Sequence, residues 1–414
     1  MGSATQQDTA AVRVDVAVIG AGPSGLTMAI LLARHGFRTA LVAPADPAED
    51  DRTTALLDSS VALLRALDLW PAIEPHTAPL AHMRIVDDTG RLIRAPETVF
   101  DAAELDLPAF GYNIRNRDLN GALGAAAEAT PGLVRVFGRV ETIRSDATSA
   151  SVIVDSGETV TAALVVGADG RRSMVREAAG IDTREWRYPQ AALIVNLEHD
   201  APHHDHSTEF HTPTGPFTLV PLKGNRSSLV CVVEPEEAER LKALPDEALA
   251  AELERRAHSV LGALRIAGAR LIYPLGGLSA NRLGAVRCAL IGEAAHVFPP
   301  IGAQGLNLGM RDVAALGEIL VAAQTRGEDI GGAATLERYE RARRPDIASR
   351  VAAVDLLNRS LLSDLLPVQA LRGLGLYAIG RIGPLRRMMM REGIAPSLGR
   401  PRLMRGLSIG GNVG

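Results

Sequence analysis

The chain has 414 residues, more than a single hydrophobic core normally serves, and this length predicts two or three structural units. Hydrophobic residues make up 47% and charged residues 22%, the balance of an ordinary soluble globular protein. A formal net charge of -4 and an aromatic content of 3% argue against a general nucleic-acid binder, which needs a basic surface and stacking rings.

The N-terminal stretch lacks the apolar core of a secretion signal, so we expect a cytoplasmic protein. No run of the sequence reaches the roughly 18 apolar residues of a membrane-spanning helix. Cys231 and Cys288 stand in apolar stretches without metal-ligand spacing. We expect both to be buried thiols in a reducing compartment.

A strand, a glycine-rich turn, a helix and a second strand open the chain, in "VRVDVAVIGAGPSGLTMAILLARHGFRTALVA". Alternating valines predict a strand that ends at Gly20. The helix is expected to run from about Pro23 to near Gly36, because glycine commonly follows the last helical residue. The pattern predicts a βαβ unit.

The middle of the chain mixes helices with short strands. "TALLDSSVALLRALDLW" has the spacing of an amphipathic helix, and "HMRIVDD" and "RLIRAP" predict short strands around a turn. "RDLNGALGAAAEA" predicts a helix and "LVVGADG" an apolar strand. Residues 188–275 alternate like a half-exposed sheet, with one helix at about 245–264. From 333 onward we expect helices, one of which closes at "YERARRPD".

The first motif with chemical meaning is "GAGPSG". Gly20 permits a tight turn, Gly22 lets a pyrophosphate approach the backbone, and Gly25 lets the helix and strand pack closely. The helix N-terminus offers free N–H groups to the same phosphates. A βα turn with a purely structural role is the alternative. Ala43 stands where the fingerprint expects an acidic residue for the ribose, so we expect the ribose contact to be weaker, supplied by the backbone, or moved to another residue.

Two further stretches stand out. "VVGADGRRSMVRE" runs from an apolar strand into Asp169 and several arginines, which alone would usually be a turn. "GEAAHVFPPIGAQGLNLGMRDVAAL" places prolines and glycines ahead of a good helix. These residues disfavour a helix, so we expect the backbone there to approach a ligand closely.

Together the three stretches resemble the fingerprints of the single-component FAD-dependent aromatic hydroxylases, the class A flavoprotein monooxygenases. They occur in that family's order and cover most of the chain to about residue 345. "RTTALLDSSVALLRALDLW", "STEFHTPTGPFTLVPL" and "PIGAQGLNLGMRDVAAL" are most similar to the ubiquinone-biosynthesis hydroxylases, which act on polyprenylated phenols.

The resemblance implies an α/β fold in which a Rossmann-like FAD-binding domain of the GR2 type carries an inserted, mostly antiparallel β-sheet substrate domain and a C-terminal helical segment. The expected FAD-binding domain is discontinuous, comprising residues 1–79, 101–187 and 276–345. The expected substrate domain comprises residues 80–100 and 188–275, and the helical segment comprises residues 346–414.

The resemblance also implies which residues contact FAD: Gly20, Gly22, Pro23, Ser24, Gly25, Arg52, Thr54, Asn116, Arg117, Val140, Asp169, Gly292, Glu293, Pro300, Gly302, Gly305, Leu306 and Asn307. Glu293 stands where the family usually has Asp, and "GAQG" swaps the first two residues of the commoner order. Backbone N–H groups from Gly302 to Asn307 would reach the pyrimidine edge of the flavin. Surface salt bridges for the arginines and simple packing for Val140 are the alternatives.

In this family NAD(P)H reduces FAD, and molecular oxygen then forms a flavin hydroperoxide that attacks an electron-rich phenol. The site therefore needs a dry pocket more than a nucleophile. Phe217, Leu219, Pro221 and Leu222 are the expected pocket residues, of which about half can face it. No catalytic base is assigned, although His296 and Tyr273 are candidates and His296 is better explained as structural.

Two stretches of the sequence, and the function itself, allow more than one interpretation. The histidine-rich stretch "HDAPHHDHSTEFH" suggests a metal, but a solvated loop explains it better, and we expect no metal. The arginine-rich segment 365–406 predicts peripheral contact with the inner membrane, packing on the FAD domain, or contact with a partner. A hydroxylase of a soluble phenol, or a flavin-bearing assembly subunit with little turnover that contacts other quinone-biosynthesis proteins, would also fit the motifs.

Overall fold

The structure, a computed structural model, describes residues 12–45, 50–90, 94, 96–299, 302–362, 383–394 and 399–409. Its strands are β1 (Val12–Ile19), β2 (Thr39–Ala43), β3 (Thr53–Leu57), β4 (Ala78–Pro79), β5 (His82–Asp87), β6 (Thr98–Asp101), β7 (Gly111–Arg115), β8 (Leu133–Phe137), β9 (Val140–Ser145), β10 (Ala150–Val154), β11 (Thr159–Gly167), β12 (Thr183–His199), β13 (His206–Thr212), β14 (Gly215–Leu222), β15 (Arg226–Val233), β16 (Leu264–Ile266), β17 (Leu271–Ala280), β18 (Gly284–Ala285), β19 (Cys288–Leu290) and β20 (His296–Val297).

The helices are α1 (Pro23–Arg34), α2 (Asp58–Ala66), α3 (Trp70–Ile73), α4 (Asn116–Glu128), α5 (Met174–Ala178), α6 (Pro235–Ala243), α7 (Asp246–Arg256), α8 (Gln304–Thr325), α9 (Ala333–Leu362) and α10 (Gly383–Ile394). Short 3-10 turns cover Glu74–His76, Ala102–Leu105, Gly292–Ala294 and Leu403–Arg405. None of the helices in these ranges combines the length and the hydropathy needed to cross a bilayer.

The predicted βαβ unit forms the centre of an eight-stranded sheet. Its main path runs β18-β19-β11-β1-β2-β8, and β9 and β10 extend it from β11. β1 is parallel to both β2 and β11, so its side chains from Val16 to Val18 are fully buried between layers. The carboxyl ends of these parallel strands meet at one edge, where ligands bind in folds of this kind.

A second sheet of nine strands follows the order β20-β17-β12-β15-β14-β13-β5-β6, with β16 beside β12. Most of its pairs are antiparallel, as predicted. Its covering layer is two helices, α6 and α7, so the prediction of one helix at about 245–264 is wrong. Pro245 ends the first helix because the residue before a proline is forced into extended backbone, as Leu244 is.

Two long strands join the layers. β12 has 17 residues and β17 has 10, and both run through the boundaries expected at residues 187/188 and 275/276. The pairing of β12 with β17 changes register between Arg187 and Ala191, which marks a bulge at that boundary. A separate three-stranded sheet has the order β3-β7-β4.

The expectation that a helix closes at "YERARRPD" is wrong, since α9 continues through Pro345 to Leu362. Proline inside a helix removes one backbone hydrogen bond. Buried ion pairs on either side of this proline, from Arg343 to Asp312 and from Arg311 to Asp346, hold the helix in place. The boundary expected at 345/346 therefore falls inside one continuous helix.

The predicted α/β architecture with its added antiparallel sheet and C-terminal helices is confirmed. Cys231 and Cys288 are buried free thiols on β15 and β19, as predicted. Burial raises the pKa of Cys231 to about 11, so this thiol is unreactive at neutral pH.

Candidate active site

The "GAGPSG" turn leaves no room for side chains at two of its glycines. Gly20 has a φ of +106°, and a Cβ there would lie 2.4 Å from the carbonyl oxygen of Ala168. A Cβ on Gly25 would lie 1.9 Å from the carbonyl oxygen of Gly20. A Cβ on Gly22, in contrast, would meet no atom within 4 Å. The fold itself requires glycine at positions 20 and 25. Gly22 instead leaves open space at the N-terminus of α1, which starts with Pro23.

Asp169 in the second motif joins this turn. Its Oδ2 accepts hydrogen bonds from the N–H groups of Met174, at 2.7 Å, and Val175, at 3.2 Å, and so caps the start of α5. Its Oδ1 is buried and has no partner among the described residues. A buried acceptor without a donor is costly, and a ligand hydroxyl would satisfy it.

The three motifs contact one another, and the first and third meet at Ser24. A Cβ placed on Gly292 would lie 3.2 Å from the Ser24 Oγ, and one placed on Gly309 would lie 2.7 Å from the same oxygen. Arg176 of the second motif donates a hydrogen bond to the carbonyl of Ala294, at 2.9 Å. The expected cofactor residues Gly20 to Gly25, Asp169 and Gly292 are thus brought together.

The start of α8 has the open backbone that was predicted. Gly302 and Ala303 both have left-handed backbone, with φ of +66° and +54°, and the helix begins at Gln304. A Cβ on Gly305 would meet no atom within 4 Å, so a flat ring can approach this face. The swapped order places alanine where glycine is favoured, at a cost of about 1 kcal/mol. Pro300 lies outside the described residues.

The side chain of Asn307, expected to contact the flavin, makes its hydrogen bonds to other parts of the protein. Its Oδ1 accepts hydrogen bonds from the Leu57 N–H, at 2.8 Å, and the Ser60 Oγ, at 2.7 Å. Its Nδ2 donates to the carbonyls of Ala55, at 2.7 Å, and Ala303, at 2.6 Å. The fully buried side chain is therefore used inside the protein, where it fastens α8 to β3 and α2, and only the backbone remains for a ligand.

Asp50, which the sequence did not single out, organises the predicted polar contacts. Arg52 donates two hydrogen bonds to it, at 2.7 and 2.6 Å, and the Asn116 Nδ2 donates a third, at 2.8 Å. Burial raises the pKa of Asp50, but these hydrogen bonds together lower it by more than burial raises it. The pKa of Asp50 therefore lies below its usual value. Arg117 is exposed and pairs with Asp51 at 2.9 Å, which agrees with the alternative of a surface salt bridge.

Arg52 lies between the FAD-binding strands and the larger sheet. Its guanidinium stacks on the Tyr273 ring, 5.2 Å from the centroid. The hydrogen bonds that Arg52 donates to Asp50 do most to raise the pKa of Arg52, and the charge of the exposed Glu293 adds to this rise. Glu293 is therefore close enough for its charge to act on Arg52.

The end of β2 places Ala43 beside the strand that leads to Val140. Ala43 is buried, and its carbonyl accepts a hydrogen bond from the Gly138 N–H at 3.0 Å. Val140 follows two residues later, half-buried and paired with Val154. Thr54 on β3 pairs with Ile114 and is also half-buried.

The expected pocket residues lie mostly on the wrong face of the sheet. Phe217 and Leu219 are buried in the core beneath α6 and α7, so they are corrected here from pocket to core. Strand alternation puts Pro221 on the same covered face. Leu222 has the opposite orientation and lines a pocket with Asp51. Alternation was foreseen, but the sequence did not show which face the helices cover.

The other face of this sheet looks towards the FAD-binding strands. Asn196 of β12 donates a hydrogen bond to the Asp51 carbonyl at 3.0 Å, and Tyr273 contacts Arg52. An apolar cluster on this face comprises Tyr188, Ala192, Ile194, Val230, Val232 and Leu275. The period of two in β12 and β15 was the signal that could have found them.

A buried charged network supports the third motif from behind. The Asp312 Oδ2 accepts hydrogen bonds from the Gly292 N–H, at 3.0 Å, and the His296 Nε2, at 2.6 Å. Its Oδ1 accepts another from the Arg343 Nε, at 2.8 Å. The interpretation of His296 as structural fits this geometry. The sequence carries a signal for this network, because Asp312 is a carboxylate inside the apolar run of α8. Such a residue is rarely buried without partners.

Two rings of the histidine-rich stretch hydrogen-bond to backbone carbonyls. The His203 Nε2 donates to the Leu222 carbonyl at 2.9 Å, and the His199 Nδ1 donates to the Ala201 carbonyl at 2.8 Å. Across the described ranges, no group of three or more His, Cys, Asp or Glu side chains could hold a metal ion.

The cradle fits FAD. It combines a glycine turn at the carboxyl edge of a parallel sheet, a buried acceptor on Asp169 without a donor, and open space at Gly22 and Gly305. With the apolar face opposite, these features are those of a flavin-dependent enzyme that acts on an apolar substrate.

Comparison with known proteins agrees. A model described as the FAD binding domain matches residues 13–354, and the chain belongs to this family. Ubiquinone hydroxylase UbiL of Rhodospirillum rubrum is 39% identical, over 95% of this chain and 93% of that protein. The 3-demethoxyubiquinol 3-hydroxylase of Escherichia coli is 34% identical, over 91% of this chain and 97% of that protein. The predicted kinship with ubiquinone-biosynthesis hydroxylases is confirmed.

Solved structures share the fold. The p-nitrophenol 4-monooxygenase PnpA of Pseudomonas putida aligns with a TM-score of 0.76 at 20% identity, covering 92% of this chain and 98% of that one. HpxO of Klebsiella pneumoniae, solved with FAD, aligns with a TM-score of 0.74 at 21% identity, covering 92% and 99%. The chain is an FAD-dependent monooxygenase that uses NAD(P)H and oxygen as co-substrates.

Proposed function

We propose that this enzyme hydroxylates the aromatic ring of a polyprenylated phenol during ubiquinone biosynthesis. The names of its two relatives support this substrate class. The observation that carries the proposal is the apolar face of the nine-stranded sheet, which looks towards the flavin cradle. An apolar wall suits a greasy aromatic substrate and keeps water from the reacting ring.

Within this proposal the glycine turn and Ser24 hold the pyrophosphate of FAD, and the Asp169 Oδ1 accepts from a hydroxyl of its sugar-alcohol chain. FAD held there would supply the hydride-accepting and oxygen-activating chemistry that ring hydroxylation requires. The N-terminus of α8, which has no acidic residue in its first turn, favours negative charge on the reduced ring. Asn307 and Asp312 keep this helix and the Gly292 turn in place.

The first prediction concerns turnover. The purified protein with FAD is expected to consume NAD(P)H in the presence of a short-chain polyprenylphenol and to release the ring-hydroxylated product in near-equal amount. Product is quantified by mass spectrometry, and a water-soluble phenol serves as the comparison. Preference for the soluble phenol would favour the alternative substrate class. Absence of product with any phenol, despite bound FAD, would favour an assembly subunit.

We further propose that the protein contacts the inner membrane through α10. This helix is tethered to the body by Arg386, which pairs with Glu104 at 2.7 Å, and by the buried Met390. Met388 and Met389 are 55% and 48% exposed. Basic and apolar side chains together on one exposed helix suit an anionic lipid surface, where the substrate resides.

The second prediction tests this contact. The double variant Met388→Ser/Met389→Ser is expected to lower the fraction of protein that sediments with anionic lipid vesicles by about threefold or more, because two apolar side chains no longer enter the lipid. FAD binding should not change. The matched control is Met174→Ser/Val134→Ser, which removes two apolar side chains that are 39% and 44% exposed on other elements. Equal sedimentation of both double variants and the wild type would contradict the proposal.

A further inference from the structure

The flavin-facing side of the nine-stranded sheet continues to the edge of the sheet at β6. Val230, in the apolar cluster on this side, stands opposite Thr218 of β14, and the register through β13 continues the row to Ile85 of β5. Met83, two residues before Ile85, points to the same side, as does Phe100, its partner on β6. Met83 and Phe100 therefore extend the flavin-facing surface to the edge of the sheet.

α10 lies against this edge and covers a small apolar cluster. The Arg386 guanidinium of α10 is 4.5 Å from the ring centroid of Phe100. The cluster beneath, which we call the α10 cluster, comprises Leu57, Ala102, Leu105, Phe110 and Met390, with Phe100 and Leu107 packed against it. It is separate from the cores of the two larger sheets. Its side chains are therefore not required to fill either core.

The inner end of the α10 cluster adjoins the flavin cradle. The Leu57 N–H donates a hydrogen bond to the Asn307 Oδ1 at 2.8 Å, and the Asn307 Nδ2 donates to the Ala303 carbonyl at 2.6 Å. Ala303 belongs to the left-handed backbone ahead of α8, where the ring is expected to approach. The outer end is α10 itself, on which Met388 and Met389 are exposed. Apolar side chains thus connect the cradle with the surface proposed to meet lipid.

The described part of α10 is lightly attached to the rest of the protein. Met390 is the only buried residue of this helix among those whose side chains the structure describes. Its polar attachments include the ion pair of Arg386 with Glu104, at 2.7 Å, and a hydrogen bond from Arg350 to the Glu392 carbonyl, at 2.9 Å. An element with so little buried apolar surface opens at a lower free-energy cost than the core of the fold.

We propose that the α10 cluster is the binding passage for the polyprenyl chain of the substrate. This inference rests on the proposed function. α10 swings outward towards lipid, Met390 leaves the cluster, and the chain takes its place against Leu57, Leu105 and Phe110 while the ring enters beside the flavin. Hydrocarbon then replaces hydrocarbon, so the apolar area kept from water stays nearly constant. The bound chain leads back to the bilayer, whereas a phenol without a chain does not need α10 to move.

The test locks α10 to the body of the protein. Arg386→Cys/Glu104→Cys places two thiols at an existing ion pair, and a short bismaleimide with an internal disulfide joins them. Cys231 and Cys288 are each 1% exposed and should not react. Titration, followed by the spectral change of bound FAD, gives dissociation constants for a long-chain polyprenylphenol and for the same phenol without its chain.

We expect the cross-link to raise the dissociation constant of the long-chain phenol at least about tenfold, because the chain can no longer enter beneath α10. The dissociation constant of the chainless phenol should change by less than about twofold. Cleavage of the linker with a thiol reductant should return the long-chain phenol to its wild-type affinity.

Arg84→Cys/Glu97→Cys is the matched control, since it places thiols at another ion pair of 2.7 Å, on the face of the sheet opposite to Met83. Its cross-link should change neither dissociation constant. An unchanged affinity for the long-chain phenol in the locked protein, or equal losses for both phenols, would overturn the passage. If the wild type binds the long-chain phenol without hydroxylating it, the proposed function fails, and the titrations still decide whether the passage exists.

Discussion

A Gly22→Ala variant is expected to remain folded and to bind FAD at least about tenfold more weakly. The added Cβ meets no protein atom within 4 Å, and the φ of -74° at Gly22 is accessible to alanine. The same space is where the pyrophosphate must approach the N-terminus of α1. FAD titration of the apo-protein, followed by quenching of flavin fluorescence, measures the loss.

Two variants show that this effect belongs to the ligand. Gly25→Ala should destabilise the protein itself by about 3 kcal/mol or more, because its Cβ would overlap the carbonyl oxygen of Gly20. Gly121→Ala in the middle of α4 meets nothing within 4 Å and should change FAD affinity by less than about twofold, with a gain of about 0.5–1 kcal/mol in stability. Unchanged FAD affinity in Gly22→Ala would show that the pyrophosphate lies elsewhere.

An Asp312→Asn variant is expected to lose about 3–5 kcal/mol of unfolding free energy. Asp312 is fully buried, and its charge balances that of Arg343, whose side chain is 1% exposed. Removing one partner of a buried ion pair leaves the other charge less well compensated, and here, among the described residues, only Asp346, 2.6 Å from the Arg343 guanidinium, would remain beside it. Urea denaturation at neutral pH measures the change. Asp15→Asn, which removes an exposed pair with Arg38, is the control and should cost less than about 1 kcal/mol.

The effect of Asp312 also depends on pH with a definite sign. Burial raises the pKa of Asp312, but the charges of His296 and Arg343 together lower it by more than burial raises it. The pKa of Asp312 in the folded protein therefore lies below its value in the unfolded chain. A group with a lowered pKa stabilises the fold fully above the unfolded pKa, about 4, and loses this contribution as pH falls through the folded pKa. The gap between wild type and Asp312→Asn should therefore narrow below about pH 4. A gap that stays constant there would contradict the assignment.

The sequence could predict those parts of the site whose backbone conformation depends on a few neighbouring residues. Gly20 and Gly25 lie in a turn whose sterics depend on a few neighbouring residues, and the pattern of strand, turn and helix places them without further information. The left-handed backbone ahead of α8 follows in the same way from prolines and glycines that would otherwise disfavour a helix.

The parts that could not be predicted depend on contacts between distant residues. Asn307 bonds to residues about 250 positions earlier, and nothing near it in the sequence names Leu57 or Ser60 as partners. Phe217 and Leu219 alternate correctly, but which face is covered depends on how α6 and α7 fold back over the sheet. Strand periodicity separates two faces and does not say which of them meets the cofactor.

β12 and β17 also decide how the molecule can be divided. A fragment of residues 188–275 would cut both strands partway along their shared ladder, because their pairing extends from Thr183 to Ile194. The severed ends would expose unpaired backbone groups that invite association with other chains. Exchange of the substrate layer between related enzymes should therefore place its junctions beyond the ends of these strands, near residues 182 and 281, so that each hybrid inherits both strands whole.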